Sequence, residues 1–94
     1  MQLFYVYILK CNDGSYYIGH TDNLEKRIQE HNMNKYAGYT ATRLPVELVF
    51  SEEFTSRDAA LNAEHKLKKW TRKKRETLIK HGWQGMQSFA KKHR

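Results

Sequence analysis

An apolar run from Leu3 to Lys10, a turn, and a second strand-like run constrain this chain more than any other feature. Leu3, Tyr5, Tyr7 and Leu9 alternate with Phe4, Val6 and Ile8. Period-two alternation of β-branched and aromatic residues is a strand pattern, and a strand apolar on both faces belongs in the middle of a sheet. Asn12-Asp13-Gly14-Ser15 supplies a hairpin turn, because glycine accepts the positive φ that an Asp-Gly turn requires. Tyr16 to His20 then forms the antiparallel partner. Tyr7 and Tyr17, ten positions apart, thereby fall on adjacent strands. Two phenols side by side near a basic helix suit chemistry on a phosphate. The same arrangement also describes two aromatics in a small core, so the rest of the chain must decide.

The segment Thr21-Asp22-Asn23-Leu24-Glu25 reads as a helix start, with Asp22 as the cap and Glu25 completing a capping box. Leu24, Ile28 and Met33 give that helix its apolar stripe. Arg27 and His31, four apart, share one side of it. A loop rich in Tyr, Thr and Gly follows, and Pro45 opens another strand, Val46 to Phe50 with an extension to Glu53. Thr55 or Ser56 caps a second long helix whose stripe is Ala60, Ala63, Leu67 and Trp70. Thr71 caps a third, basic helix ending at His81-Gly82, where glycine forms the C-cap. Trp83, Met86 and Phe89 make a last amphipathic segment. The order strand, strand, helix, strand, helix, helix predicts an α+β fold, a small antiparallel sheet flanked by helices. Residues 1–82 form one domain, and residues 83–94 are a tail packed on it or extending it.

With 94 residues the chain makes a single domain. Its one cysteine, Cys11, excludes an internal disulfide and a cysteine-rich metal site. No stretch is long and apolar enough for a membrane span, and no export signal is visible, so the expected location is the cytoplasm. The net charge is +7, which favours an anionic partner, nucleic acid first. Lys66, Lys68, Lys69, Arg72, Lys73, Lys74 and Arg75 lie in one acid-free block around Trp70, and their seven charges equal the whole excess. Such a block is either a solvated helical face or a phosphate-binding surface, and its density with Trp70 inside favours the second.

Hydrolysing a phosphodiester needs a group to activate water, a cation for the phosphoryl oxygens and something to stabilise the leaving alkoxide. Tyr7 and Tyr17 are candidate bases, provided nearby cations lower a phenol pKa that is ordinarily near 10. Packing alone is the plainer account of a sheet tyrosine. Arg27 offers a planar, permanent cation that fits phosphate, against a surface ion pair with Glu30. His31 is able to share proton traffic with a tyrosine. Glu64 borders the stripe of the second helix. One hard oxygen ligand suits Mg²⁺, but an ordinary Glu64–Lys68 pair at i, i+4 accounts for it equally well. No phosphate-cradling loop and no HExxH spacing occurs.

In these residues the chain resembles the GIY-YIG nuclease superfamily, specifically its small stand-alone branch, over about the first eighty residues. Tyr5-Val6-Tyr7 stands at the first triplet and Tyr17-Ile18-Gly19 is the second unchanged. Arg27, His31 and Glu64 follow in order, and the loop from Lys35 to Val46 also looks like that branch. The resemblance implies a three-stranded antiparallel sheet and a Mg²⁺- or Mn²⁺-dependent endonuclease acting on DNA, structure-selective and serving repair or processing. It implies that Tyr17 or Tyr7 activates water, Arg27 holds the scissile phosphate, Glu64 binds the metal and His31 supports proton transfer. Gly19 would permit close packing at the site. His20, Lys68, Lys69, Lys73 and Lys74 would face the substrate. Substrate selection would be weak or supplied by a protein partner, and a duplex break would need a homodimer or rebinding. Two departures stand out: the first triplet begins with Tyr5 rather than glycine, and no asparagine follows Asn62. A non-catalytic nucleic-acid binder on the same scaffold is the alternative.

Overall fold

The structure is a computed structural model and describes residues 2–33, 38 and 40–92, with side chains through residue 82. Strands β1 (Phe4–Lys10) and β2 (Tyr16–Thr21) form the hairpin. Helix α1 (Leu24–Asn32), strand β3 (Glu47–Phe54), helix α2 (Arg57–Lys68) and helix α3 (Arg72–Lys92) follow. The sheet order is β2-β1-β3, antiparallel throughout, so the strand apolar on both faces is indeed the central one. At the turn Gly14 takes φ 85°, and the Cys11 amide donates to the Ser15 carbonyl at 2.8 Å.

Strand alternation divides the core into two layers. Val6, Ile8 and Ile18 face α2 and α3, where Leu67 and Leu78 are fully buried and Ala63, Trp70 and Ile79 pack around them. Tyr7, Leu9 and Cys11 face α1, packed by Leu24 and Ile28 with Val46 and Leu44. Burying a side chain the size of Leu67 stabilises by about 1.5–3 kcal/mol. Met33 does not join the α1 stripe. It lies one residue past the helix and is 65% exposed.

Capping differs from expectation at α1. Asn23, not Asp22, is the N-cap, its side chain accepting from the Lys26 amide at 3.1 Å. Asp22 instead accepts from Gln2 and pairs with Arg57 at 3.5 Å. A short amide one position later reaches the same orphan donors equally well. Ser56 caps α2, accepting from the Ala59 amide, and Thr71 accepts from the Lys74 amide at the start of α3. Gly82 (φ 70°) interrupts α3, and helical backbone resumes beyond it to Lys92. The side chains of Trp83, Met86 and Phe89 lie outside the described residues, as do Lys35, Tyr36, Ala37 and Tyr39 of the loop.

The described part of that loop is anchored at several points. The Asn32 side chain both accepts from the Val46 amide (2.8 Å) and donates to the Val46 carbonyl (3.2 Å), tying the end of α1 to the entry of β3. Arg43 grips the hairpin turn twice: its Nε donates to Asp13 at 2.9 Å, and its carbonyl accepts from the Asn12 amide. The Arg43 amide in turn donates to the Thr40 carbonyl at 3.0 Å.

Candidate functional site

The chemistry-bearing side chains meet at the β2 rim of the sheet. Tyr7 sits opposite Gly19 in the β1–β2 register. Its phenol runs across the glycine: a Cβ placed there would lie 2.6 Å from the Tyr7 hydroxyl and 3.2 Å from the Tyr17 ring. Glycine is therefore required at this position by the phenol, since the space a side chain would fill is already occupied. Tyr7 is fully buried and Tyr17 half-buried, with ring centroids 6.3 Å apart.

Helix α1 lies over these two rings. Its i, i+4 spacing turns Arg27 and His31 toward them. Arg27 lies close enough to Tyr7 for its positive charge to act on the phenol. His31 is 3% exposed, a buried histidine rather than a surface one. Its Nε2 lies 3.3 Å from the Tyr7 hydroxyl, and its ring centroid 5.1 Å from that of Tyr17. Its Nδ1 lies 3.0 Å from the hydroxyl of Thr40, itself buried. Sequence reasoning did not single out Thr40; a threonine in a polar loop carries no local signal of burial.

Burial dominates the titration of this cluster. Desolvation, followed by the neighbouring Tyr17, pushes the Tyr7 phenol well above its usual value, and Arg27 only partly offsets this. The expectation that cations would lower Tyr7 fails because the ring is sealed between the sheet and α1, where loss of water disfavours a phenolate. Desolvation, then the Arg27 cation, holds His31 below the usual imidazole value. Tyr7 and His31 are thus neutral partners.

The carboxylate arrives from the other layer. Glu64, on α2, is 8% exposed; its Oε1 lies 2.7 Å from His20 Nδ1 and its Oε2 accepts from Lys68 Nζ at 2.9 Å. Burial alone would raise its pKa, but the hydrogen bonds from His20 and Lys68 and the lysine charge outweigh burial and lower it. Although α2 and α1 cover opposite faces, Glu64 is near enough for its charge to contribute to the raised pKa of Tyr7. The two groups therefore lie on opposite faces of the same edge strand, either side of Gly19 and His20. The i, i+4 pair with Lys68 expected from the sequence forms.

Among the described residues no group of three or more His, Cys, Asp and Glu side chains is arranged to hold a metal ion. The donor set is one ionised carboxylate whose two oxygens each accept a single hydrogen bond, leaving a further lone pair on each. That chemistry fits Mg²⁺, which keeps most of its waters and takes few protein ligands, with Glu64 as the residue that would hold it.

The basic block divides by geometry. Arg75 donates to the Leu67 and Lys68 carbonyls (3.0 and 2.9 Å) and so caps the C-terminus of α2. Arg72 donates to the Gly14 carbonyl at 2.9 Å and stacks over the Tyr16 ring. Lys74 sits 4.3 Å above the Trp70 ring centroid. Lys69 and Lys73 are exposed at the same α2–α3 corner as Lys68, whose ammonium already reaches Glu64. No helix among the described residues is long and apolar enough to cross a membrane.

Residues 3–77 match the family model described as the GIY-YIG catalytic domain. The chain is 48% identical to the UPF0213 protein YazA of Bacillus subtilis, covering 80% of this chain and 76% of that one. A UPF0213 protein of Haloquadratum walsbyi is 47% identical, over 83% of this chain and 88% of its own. Two solution NMR structures are similar. A UPF0213 protein from Bacillus halodurans shows 40% identity and a TM-score of 0.56, covering 86% of this chain and 87% of that one. A protein from E. faecalis shows 40% identity and a TM-score of 0.59, covering 85% of each. Matched along most of its length by the domain model and by these relatives, the chain belongs to the GIY-YIG family and groups with the UPF0213 proteins.

Proposed function

We propose that the protein is a metal-dependent endonuclease that hydrolyses phosphodiester bonds in DNA, selecting nicked, branched or single-stranded structures during repair or processing. The observation that carries this reading is the placement of Tyr7, Tyr17, Arg27 and His31 and of the His20–Glu64 pair at one rim of the sheet. Tyr17, half-buried, is the phenol that meets water and positions it for attack. Tyr7, buried and neutral, is held by His31 and lies beside Arg27. Arg27 holds the scissile phosphate with its planar fork. A divalent cation on Glu64, when bound, supplies positive charge for the leaving oxygen. His20 and Lys68 keep that carboxylate ionised and aimed. Lys69, Lys73 and Lys74 contact flanking phosphates. Residues 1–82 act as the catalytic domain and residues 83–94 as its tail. One such site cuts one strand per encounter, so a duplex break would require a second copy or a partner protein.

The test is a cleavage assay with Mg²⁺ or Mn²⁺ against a panel of branched, nicked and single-stranded DNA. Tyr17→Phe and Glu64→Ala are each expected to reduce cleavage about a hundredfold or more, the scale of a lost catalytic group. Cleavage that survives both substitutions counts against the site. One observation favours a second reading, a non-catalytic DNA binder: both Glu64 oxygens are already engaged by protein donors. That reading predicts salt-sensitive binding with no strand scission in the same panel.

A further inference from the structure

We propose that the Lys68 ammonium is a stand-in cation on Glu64, drawn off by a phosphate of the nucleic acid, so that Glu64 is free to take a divalent cation only once the polyanion is bound. Glu64 is buried, and each of its oxygens is held by a protein donor: Oε1 by His20 Nδ1 at 2.7 Å and Oε2 by Lys68 Nζ at 2.9 Å. A carboxylate withdrawn from water needs a positive partner, and in the free protein Lys68 supplies it. A lone pair remains on each oxygen, but a metal ion there would share the carboxylate with an ammonium. The Glu64 side chain is only 10% exposed, so water and salt screen that repulsion poorly. The two cations therefore compete for one carboxylate. Of the two donors, Lys68 is the one able to leave. His20 is a short ring on β2, paired across the sheet with Val6, and its side chain is 24% exposed. Lys68 carries its charge on a flexible stem that is 55% exposed. Arg75 closes that end of α2 on the Leu67 and Lys68 carbonyls, so the change is confined to the lysine stem. An ion pair with one partner so exposed is weak, and a phosphate offers the same ammonium a rival anion. Lys69 and Lys73, exposed at the same corner, attract that polyanion. Phosphate on Lys68 and a cation on Glu64 thus favour one another.

The inference rests on Glu64 as the residue that holds the metal, but it is read by binding alone, without turnover. The first measurement titrates Mn²⁺ into the full chain with no DNA present and follows free Mn²⁺ by electron spin resonance. Lys68→Gln removes the charge and is expected to bind Mn²⁺ about five- to a hundredfold more tightly than the wild type, the usual span of a coupling between sites. Lys68→Arg keeps the charge and is expected to match the wild type. So is Lys66→Gln, which removes an exposed charge from the same turn of α2. Glu64→Gln is expected to lose the binding. The second measurement follows the ¹³C signal of the Glu64 carboxyl group in EDTA while single-stranded DNA is added. In the wild type the signal is expected to shift as the ammonium departs. In Lys68→Gln it is expected to stay where it began. Mn²⁺ affinity that is unchanged or weaker in Lys68→Gln overturns the proposal. So does Mn²⁺ binding that survives Glu64→Gln, or a wild-type carboxyl signal that DNA leaves in place. Absence of cleavage in the wild type, with the expected binding and spectra, would instead remove only the nuclease reading.

Discussion

Gly19 is the residue on which the geometry of the rim turns. Its partner across the sheet is a fully buried tyrosine held by His31, so the phenol has little freedom to retreat from an added methyl group. Gly19→Ala is expected to destabilise by about 1–3 kcal/mol, as overpacking does, and to abolish cleavage by displacing the Tyr7 hydroxyl. Thermal denaturation and the cleavage assay measure the two effects separately. The titratable residues make a second prediction. Glu64 and His31 both have folded pKa values below their ordinary ones. In each case the unfolded chain takes up protons more readily than the fold. The contribution of His31 is complete above the ordinary histidine range and is lost as pH falls through its lowered value. That of Glu64 is complete above the ordinary carboxylate range and is lost as pH falls through its own lowered value. Melting temperature should therefore fall on acidification, first through the histidine range and then through the carboxylate range. Glu64→Gln should flatten the second part of the decline only.

Among the elements, the α2–α3 corner shows why charge counts mislead. Seven cations in sequence looked like one surface, yet Arg75 closes the end of α2 and Arg72 stacks on Tyr16. Arg75→Met keeps the stem and removes two charge-assisted bonds to backbone carbonyls. It is expected to cost about 1.5–3 kcal/mol in urea denaturation while leaving the salt dependence of DNA binding unchanged. The elements themselves were legible because their signals are local: alternation in β1, Asp-Gly at the turn, and the stripes of α1 and α2. The α1 cap moved by one residue because Asp22 and Asn23 are both good caps, and only their tertiary partners separate them. The burial of His31 and of Thr40 was not legible, because their contact joins α1 to a residue nine positions on and no periodicity encodes that.

At the scale of the whole molecule, charge is distributed across the sheet from rim to rim. The outer strand β3 carries Glu47, Glu52 and Glu53, while Lys68 reaches Glu64 beside β2 and Arg72 lies on the β2 end of the hairpin. Such a gradient repels a polyanion from one edge and draws it to the other. Replacing Lys69 and Lys73 with glutamine is expected to reduce the slope of log K against log salt by about 0.7–0.9 for each phosphate contact removed. An unchanged slope would place the DNA elsewhere. The anchoring of the loop has a further consequence for the molecule. Arg43 holds the hairpin turn with its side chain and Thr40 with its amide, so the turn and the imidazole are joined by one short tether. Residues as distant in sequence as Asp13 and His31 thus share a mechanical fate: slackening at the tip of the hairpin would travel inward to the buried imidazole.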